Sequence, residues 1–178
     1  NRGIYFSKKA SYQLAIDDYK KSIDLNPKFA PSQNNLGTVN YKLSDFNKAT
    51  VYFDSAAMIE PENYLFHYNS GVARRRIGEY EKSIENYDKS IYLNPNHFWA
   101  YYGLARCYDK LNIHDMAIDN YEKMISAYPL LPQLYIDLGN IYSQELKEKD
   151  KGISVYKRGT DLVEDAYLYA LLGNDYYN

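Results

Sequence analysis

The stretch 36–61, LGTVNYKLSDFNKATVYFDSAAMIEP, decides how this chain folds. Gln33, Leu36, Gly37 and Asn40 fall at i, i+3, i+4 and i+7, one face of a helix, and Phe46, Ala49, Phe53 and Ala56 mark a second helix in the same way. Ser44-Asp45 supplies a short polar turn between them, and Glu60-Pro61 ends the second helix, because the residue before proline is pushed out of the helical region. No segment shows the sustained period-two alternation of a strand, so the chain reads as all-α.

The pattern recurs along the whole chain. Gly3, Gly37, Gly71, Ala105, Gly139 and Gly173 are spaced by 34 residues, and Pro27, Pro61, Pro95 and Pro129 keep the same step. Ala15, Ala49, Ser83 and Ala117 continue to Gly152, one residue late; Tyr19, Phe53, Tyr87 and Tyr121 continue to Tyr156, also one late. The shared delay predicts one inserted residue in the charged stretch 144–151, QELKEKDK, which otherwise reads as a solvated turn. A helical glycine costs about 0.5–1 kcal/mol relative to alanine. A close crossing, with the large aromatic of the second helix seated on the small residue of the first, would offset that.

Leu36-Gly37 with Ala49, Phe53, Ala56 and Pro61; Gly71 with Ser83, Tyr87, Ser90 and Pro95; Leu104-Ala105 with Ala117, Tyr121 and Pro129; and Leu138-Gly139 with Tyr156 resemble the repeats of the tetratricopeptide (TPR) family. The resemblance implies an α-solenoid of stacked antiparallel helix pairs in a right-handed superhelix. On it, residues 1–178 form a single array: a partial repeat at 1–29, full repeats at 30–63, 64–97, 98–131 and 132–165, and a first helix at 166–178 that is a truncated repeat or a cap. Arg74 stands where an aromatic is usual and Ser70 where leucine is usual. The last complete unit lacks its proline and has Gly152 in place of alanine, so local looseness is expected there. Leu172 and Tyr176 would lie bare on the final helix, which leaves self-association through uncapped ends open.

Composition narrows the function. Lys and Arg number 21 against 23 Asp and Glu in 178 residues, which disfavours a nucleic-acid-binding surface, since that needs clustered, uncompensated cations. No apolar run approaches the roughly 20 residues of a bilayer span, so no membrane insertion is expected and the chain reads as soluble; its compartment stays open, with the cytoplasm favoured. The single cysteine, Cys107, excludes an intrachain disulfide and a thiolate cluster and reads as a small buried hydrophobe. His67, His97 and His114 share no repeat face, and the glycines come one per repeat without forming a phosphate loop. No enzyme activity, cofactor or metal is expected of these residues.

Binding is where the residues are informative. In TPR proteins, the resemblance implies, the first helices line a groove that holds an extended peptide or a partner's helix. Asn35 and Asn69 share one column, as in the asparagine ladder of O-GlcNAc transferases, although Gly103 and Asp137 follow; a solvated asparagine face is the alternative. Tyr41, Tyr68, Trp99 and Tyr102 stand with Arg75, Arg76 and Arg106, residue types that dominate binding hot spots and suit a protein or peptide partner with acidic or aromatic side chains. Packing of Trp99 at the junction between units is the competing reading. The carboxylate-clamp set of the co-chaperone subfamily is matched at Asn69 alone in one frame. The expected function is a non-catalytic protein-interaction scaffold; the alternatives are a substrate-recruiting arm of a larger enzyme and a self-assembling module.

Overall fold

The computed structural model describes residues 12–177; Gly3, the first member of the glycine column, lies outside them. Among the described residues ten α-helices run α1 Tyr12–Leu25, α2 Ala30–Lys42, α3 Phe46–Ile59, α4 Tyr64–Arg76, α5 Tyr80–Leu93, α6 Phe98–Lys110, α7 His114–Ala127, α8 Pro132–Asn140, α9 Lys149–Thr160 and α10 Ala166–Tyr177. No strand occurs among the described residues. The chain gathers into two compact units, residues 1–107 and 108–178.

In the first unit the predicted crossing of small on large is realised. A Cβ placed on Gly37 would stand 2.7 Å from the Phe53 ring, and one on Gly71 2.9 Å from the Tyr87 ring, so alanine at either position displaces a buried aromatic. Around these contacts small alanines fill the space: Ala49, Phe53 and Ala73 form one cluster, and Ala30, Ala56, Ala57 and Phe66 another. Tyr19 packs with Ala15, Leu36 and Val39. Polar side chains bridge where the aliphatic pattern breaks. Ser83 Oγ donates to the Gly71 carbonyl at 2.7 Å, and the buried Cys107 thiol donates to Ser83 Oγ at 3.3 Å. Burial raises the Cys107 pKa, as fits an unreactive thiol.

Ser70 and Arg74, the two departures from the family pattern, compensate each other. Ser70 Oγ donates to Asp54 Oδ1, and the Arg74 guanidinium reaches Asp54 Oδ2 with one terminal nitrogen and Glu79 Oε2 with the other. A half-buried polar network thus stands where leucine and an aromatic would pack.

The turns from α2, α4 and α6 share one geometry. Ser44, Gly78 and Asn112 have φ of 63°, 81° and 57°, and the amides of Asp45, Glu79 and Ile113 bond the carbonyls of Asn40, Arg74 and Tyr108. This is the Schellman helix end, which needs a left-handed residue one step before the bonded amide.

In the second unit the same left-handed position falls on Lys147, φ 60°, one residue late, and the Glu148 amide returns to Tyr142, one residue further back than in the other turns. The extra residue is absorbed upstream of the charged turn, as a π-helical segment, Ile141–Glu145, that continues α8. The Leu146 amide bonds the Ile141 carbonyl across it. The expected looseness is replaced by close engagement. The bulge presents Ser143 to Gly152, where a Cβ would meet its Oγ at 1.7 Å, so alanine at that position would displace the Ser143 hydroxyl. Ser143 Oγ donates to Asp175 of α10 at 2.6 Å, and the Tyr156 hydroxyl donates to Asn140 at 2.7 Å. Tyr156 sits against Gly139 as Tyr87 does against Gly71.

On α10, Leu168 is buried and Leu172 half-buried, whereas Tyr176 is exposed and the slot of Gly173 is open.

Candidate partner-binding site

The first helices of the first unit, α2, α4 and the part of α6 up to Cys107, carry every residue predicted to bind a partner. Their side chains differ in what already occupies them. Asn69 donates to Asn34 Oδ1 at 2.7 Å, so its amide is engaged by the preceding repeat, through the neighbour of Asn35. Asn35 is half-buried and forms no hydrogen bond through its side chain among the described residues. The column cannot continue at Gly103, because a Cβ there would stand 2.3 Å from Tyr87 Cζ. Gly103 is a packing residue for that ring, and the two-rung ladder ends on steric grounds.

The aromatic group is assembled by α4, α6 and the turn before α6. Tyr68 packs edge-on to His97, ring centroids 4.6 Å apart, and His97 also meets Tyr64 at 4.9 Å while its Nδ1 is 3.1 Å from Ser90 Oγ. His97, read from sequence as a bland turn residue, is therefore the support under Tyr68. Burial lowers its pKa, which keeps the ring neutral. Phe98, Trp99 and Tyr102 form a second cluster, with Trp99 edge-on to both partners. Trp99 remains 57% exposed, so packing at the junction does not account for its surface.

The cations separate into distinct environments. Arg76 is exposed and lies over Phe46, 5.0 Å from the ring centroid, and over Tyr41 at 6.0 Å. Arg106 is exposed and lies 5.7 Å from the Tyr102 centroid. Arg75 is half-buried beside Tyr87, Tyr68 and Tyr41. None of the three forms an ion pair among the described residues, in contrast to Arg74 and to Arg158, which pairs with Glu122 at 2.8 Å. Cation–π contact keeps Arg76 and Arg106 extended over the rings and leaves their N–H edges available.

The corresponding face in the second unit is more self-satisfied. Gln133 donates to Asp137 at 2.8 Å, Gln144 to Asn140 at 3.2 Å, and Ile136 is buried. No cluster of three or more His, Cys, Asp or Glu suited to a metal occurs among the described residues, and no described helix is long and apolar enough to cross a membrane.

Recurring antiparallel helix pairs locked by a small residue against a large aromatic define a helical repeat protein. Family profiles described as TPR repeat and tetratricopeptide repeat match residues 71–112 and 99–130, so the chain carries tetratricopeptide repeats over that stretch. Human tetratricopeptide repeat protein 6 is 35% identical over 63 residues, a match spanning 35% of this chain and 12% of that protein. The crystal structure of MamA has a TM-score of 0.84 at 26% identity, covering 90% of this chain and 94% of that one. The crystal structure of YrrB, a TPR protein with an unusual peptide-binding site, has a TM-score of 0.83 at 17% identity over 97% of this chain and 88% of its own, a likeness of fold.

Proposed function

We propose that the chain is a non-catalytic protein-interaction scaffold whose first unit holds an extended peptide or a helical segment along α2, α4 and α6. The observation that carries this reading is Trp99, left 57% exposed in a cluster with Phe98 and Tyr102 over which Arg106 lies, on a run of first helices whose Arg75, Arg76 and Arg106 have no ion-pair partner among the described residues. Aromatics and arginines are the side chains that contribute most when an interface closes over them. Rigid rings supply contact area with little entropy to lose, and the guanidinium edges supply orientation. The ligand best matched has aromatic or apolar side chains for Trp99 and Tyr102 and acidic groups for the arginines.

The test uses the full chain against a random peptide display library. Wild type should enrich a family of peptides, and the double variant Trp99→Ala with Arg106→Glu should lose them while keeping the helical far-UV signal and melting temperature, since both side chains are exposed. Equal enrichment by the double variant would place binding elsewhere. Charge reversal at Arg75 is not the clean variant, because that side chain is half-buried and a carboxylate there would be desolvated.

A further inference from the structure

We infer that Arg75 is a built-in receptor for a side-chain carboxylate, aspartate or glutamate, of the bound partner. The inference rests on the groove reading above and names the one position in that groove where a charge is demanded.

The last turn of α4 carries three successive arginines with three fates. Arg74 turns inward and is neutralised by Asp54 and Glu79. Arg76 stays exposed over Phe46 and Tyr41, where water solvates its charge. Arg75 has neither arrangement. Its nearest titratable neighbours are Tyr87, Tyr41, Tyr68 and Cys107, and burial raises the Tyr87 phenol and the Cys107 thiol so that both stay neutral at pH 7. The guanidinium cannot shed its proton to escape the cost of burial. A full positive charge is thus partly withdrawn from water with no carboxylate to balance it, an arrangement that costs free energy in the unbound protein.

Hydrogen bonding points the same way. Arg75 Nε is buried without a hydrogen-bond partner, and the group that the guanidinium meets beside it, the Tyr87 hydroxyl, is neutral and buried. Tyr87 cannot swing away, because its ring is confined by Gly71 and Gly103. The arginine is therefore held beside a confined ring with no carboxylate paired to it, and that is preorganisation for an anionic acceptor. A planar carboxylate accepts two parallel N–H bonds from the guanidinium edge and carries the single negative charge that one buried cation balances. Arg76 and Arg106, exposed and screened, steer an anion towards the groove and contribute little once it is bound.

The site is tested directly in the full chain by NMR titration with sodium acetate, with sodium chloride and inorganic phosphate at matched ionic strength, following the Arg75 Nε–H resonance and the Tyr68 and Tyr87 ring resonances. Acetate should give a saturable shift at all three that chloride does not. Arg158→Gln, outside the groove, should keep the response, and Arg75→Gln should abolish it at the tyrosines. Should Arg75→Gln melt early, Arg75→Lys, which keeps the charge without the planar fork, should fold and show a weakened response. A response no greater than that to chloride, or one as strong in Arg75→Gln, overturns the site; a stronger response to phosphate overturns its assignment to a carboxylate. In the display selection, where peptide C-termini are blocked by fusion, wild-type binders should carry Asp or Glu, and Glu→Gln in a synthetic binder should weaken it about tenfold or more. Binders without acidic preference would overturn the carboxylate site while leaving the groove standing. An acetate response with no enriched peptide would sink the groove reading and the partner carboxylate with it.

Discussion

Tyr87 lies so close to Gly103 that a Cβ on that glycine would stand 2.3 Å from its Cζ, and the opposite edge of the same ring is closed by Gly71. One aromatic therefore locks the first helix of its own repeat and that of the next. Gly103→Ala should destabilise the chain by about 1–2 kcal/mol, the overpacking cost less the helix-propensity gain. Gly173→Ala, whose Cβ meets nothing within 4 Å, should stabilise by about 0.5–1 kcal/mol. Urea midpoints of the two variants should move in opposite directions; movement in the same direction would mean that propensity alone sets both.

Arg74 and Asp54 form a pair whose removal is asymmetric. Asp54→Ala should cost about 2 kcal/mol, less than a fully buried pair because the Asp54 side chain is 34% exposed. The triple variant Ser70→Leu, Asp54→Ala, Arg74→Tyr, which returns the site to the usual apolar pattern of the family, should recover that loss. Chemical denaturation of the single and triple variants decides, and a triple variant weaker than Asp54→Ala would mean the polar network is more than a substitute for packing.

Lys147 holds φ at 60° in the turn after the π-helical segment, where a left-handed conformation costs a side chain about 1–2 kcal/mol. Lys147→Gly should raise stability by up to about 1 kcal/mol, the strain relieved less the added flexibility of the unfolded chain. Gly78 occupies the same place in the turn after α4, so Gly78→Lys should do the reverse. Differential scanning calorimetry of both reads the sign directly.

His97 gives the fold an acid-sensitive element. Its pKa is lowered by burial, so the unfolded chain binds a proton more readily than the folded one. Its contribution to stability is fully present above the unfolded value of 6.5 and is lost as pH falls through the folded one. Stability should therefore decline as pH drops below about 6.5, and His97→Gln should flatten that decline. Because His97 supports Tyr68, tyrosine ring resonances of the groove should shift over the same interval in the wild type and not in the variant.

How much of this was legible in the sequence follows from what each feature depends on. Spacing is written in the chain itself: the 34-residue recurrence and the one-residue delay predicted helix pairs, the aromatic seated on glycine and an insertion before α9. Local order carried that information, since helical periodicity, proline stops and glycine slots are properties of neighbouring residues. The sequence also placed Tyr68, Trp99, Tyr102 and three arginines on successive first helices.

What it left undecided were the interactions between residues far apart in the chain. Arg74, Arg75 and Arg76 are identical as letters, yet Asp54, 20 positions away, neutralises the first, Tyr87 confines the second, and the third lies over Phe46. Gly103 reads as a missing rung of an asparagine ladder until Tyr87 is seen to occupy its Cβ space. His97 reads as a turn residue until two tyrosine rings meet it. Side-chain charge and hydrogen bonding are settled by which partner arrives in three dimensions, so the sequence by itself determined the repeat and the order of its helices, and the tertiary structure alone decided which arginines were left without an anion.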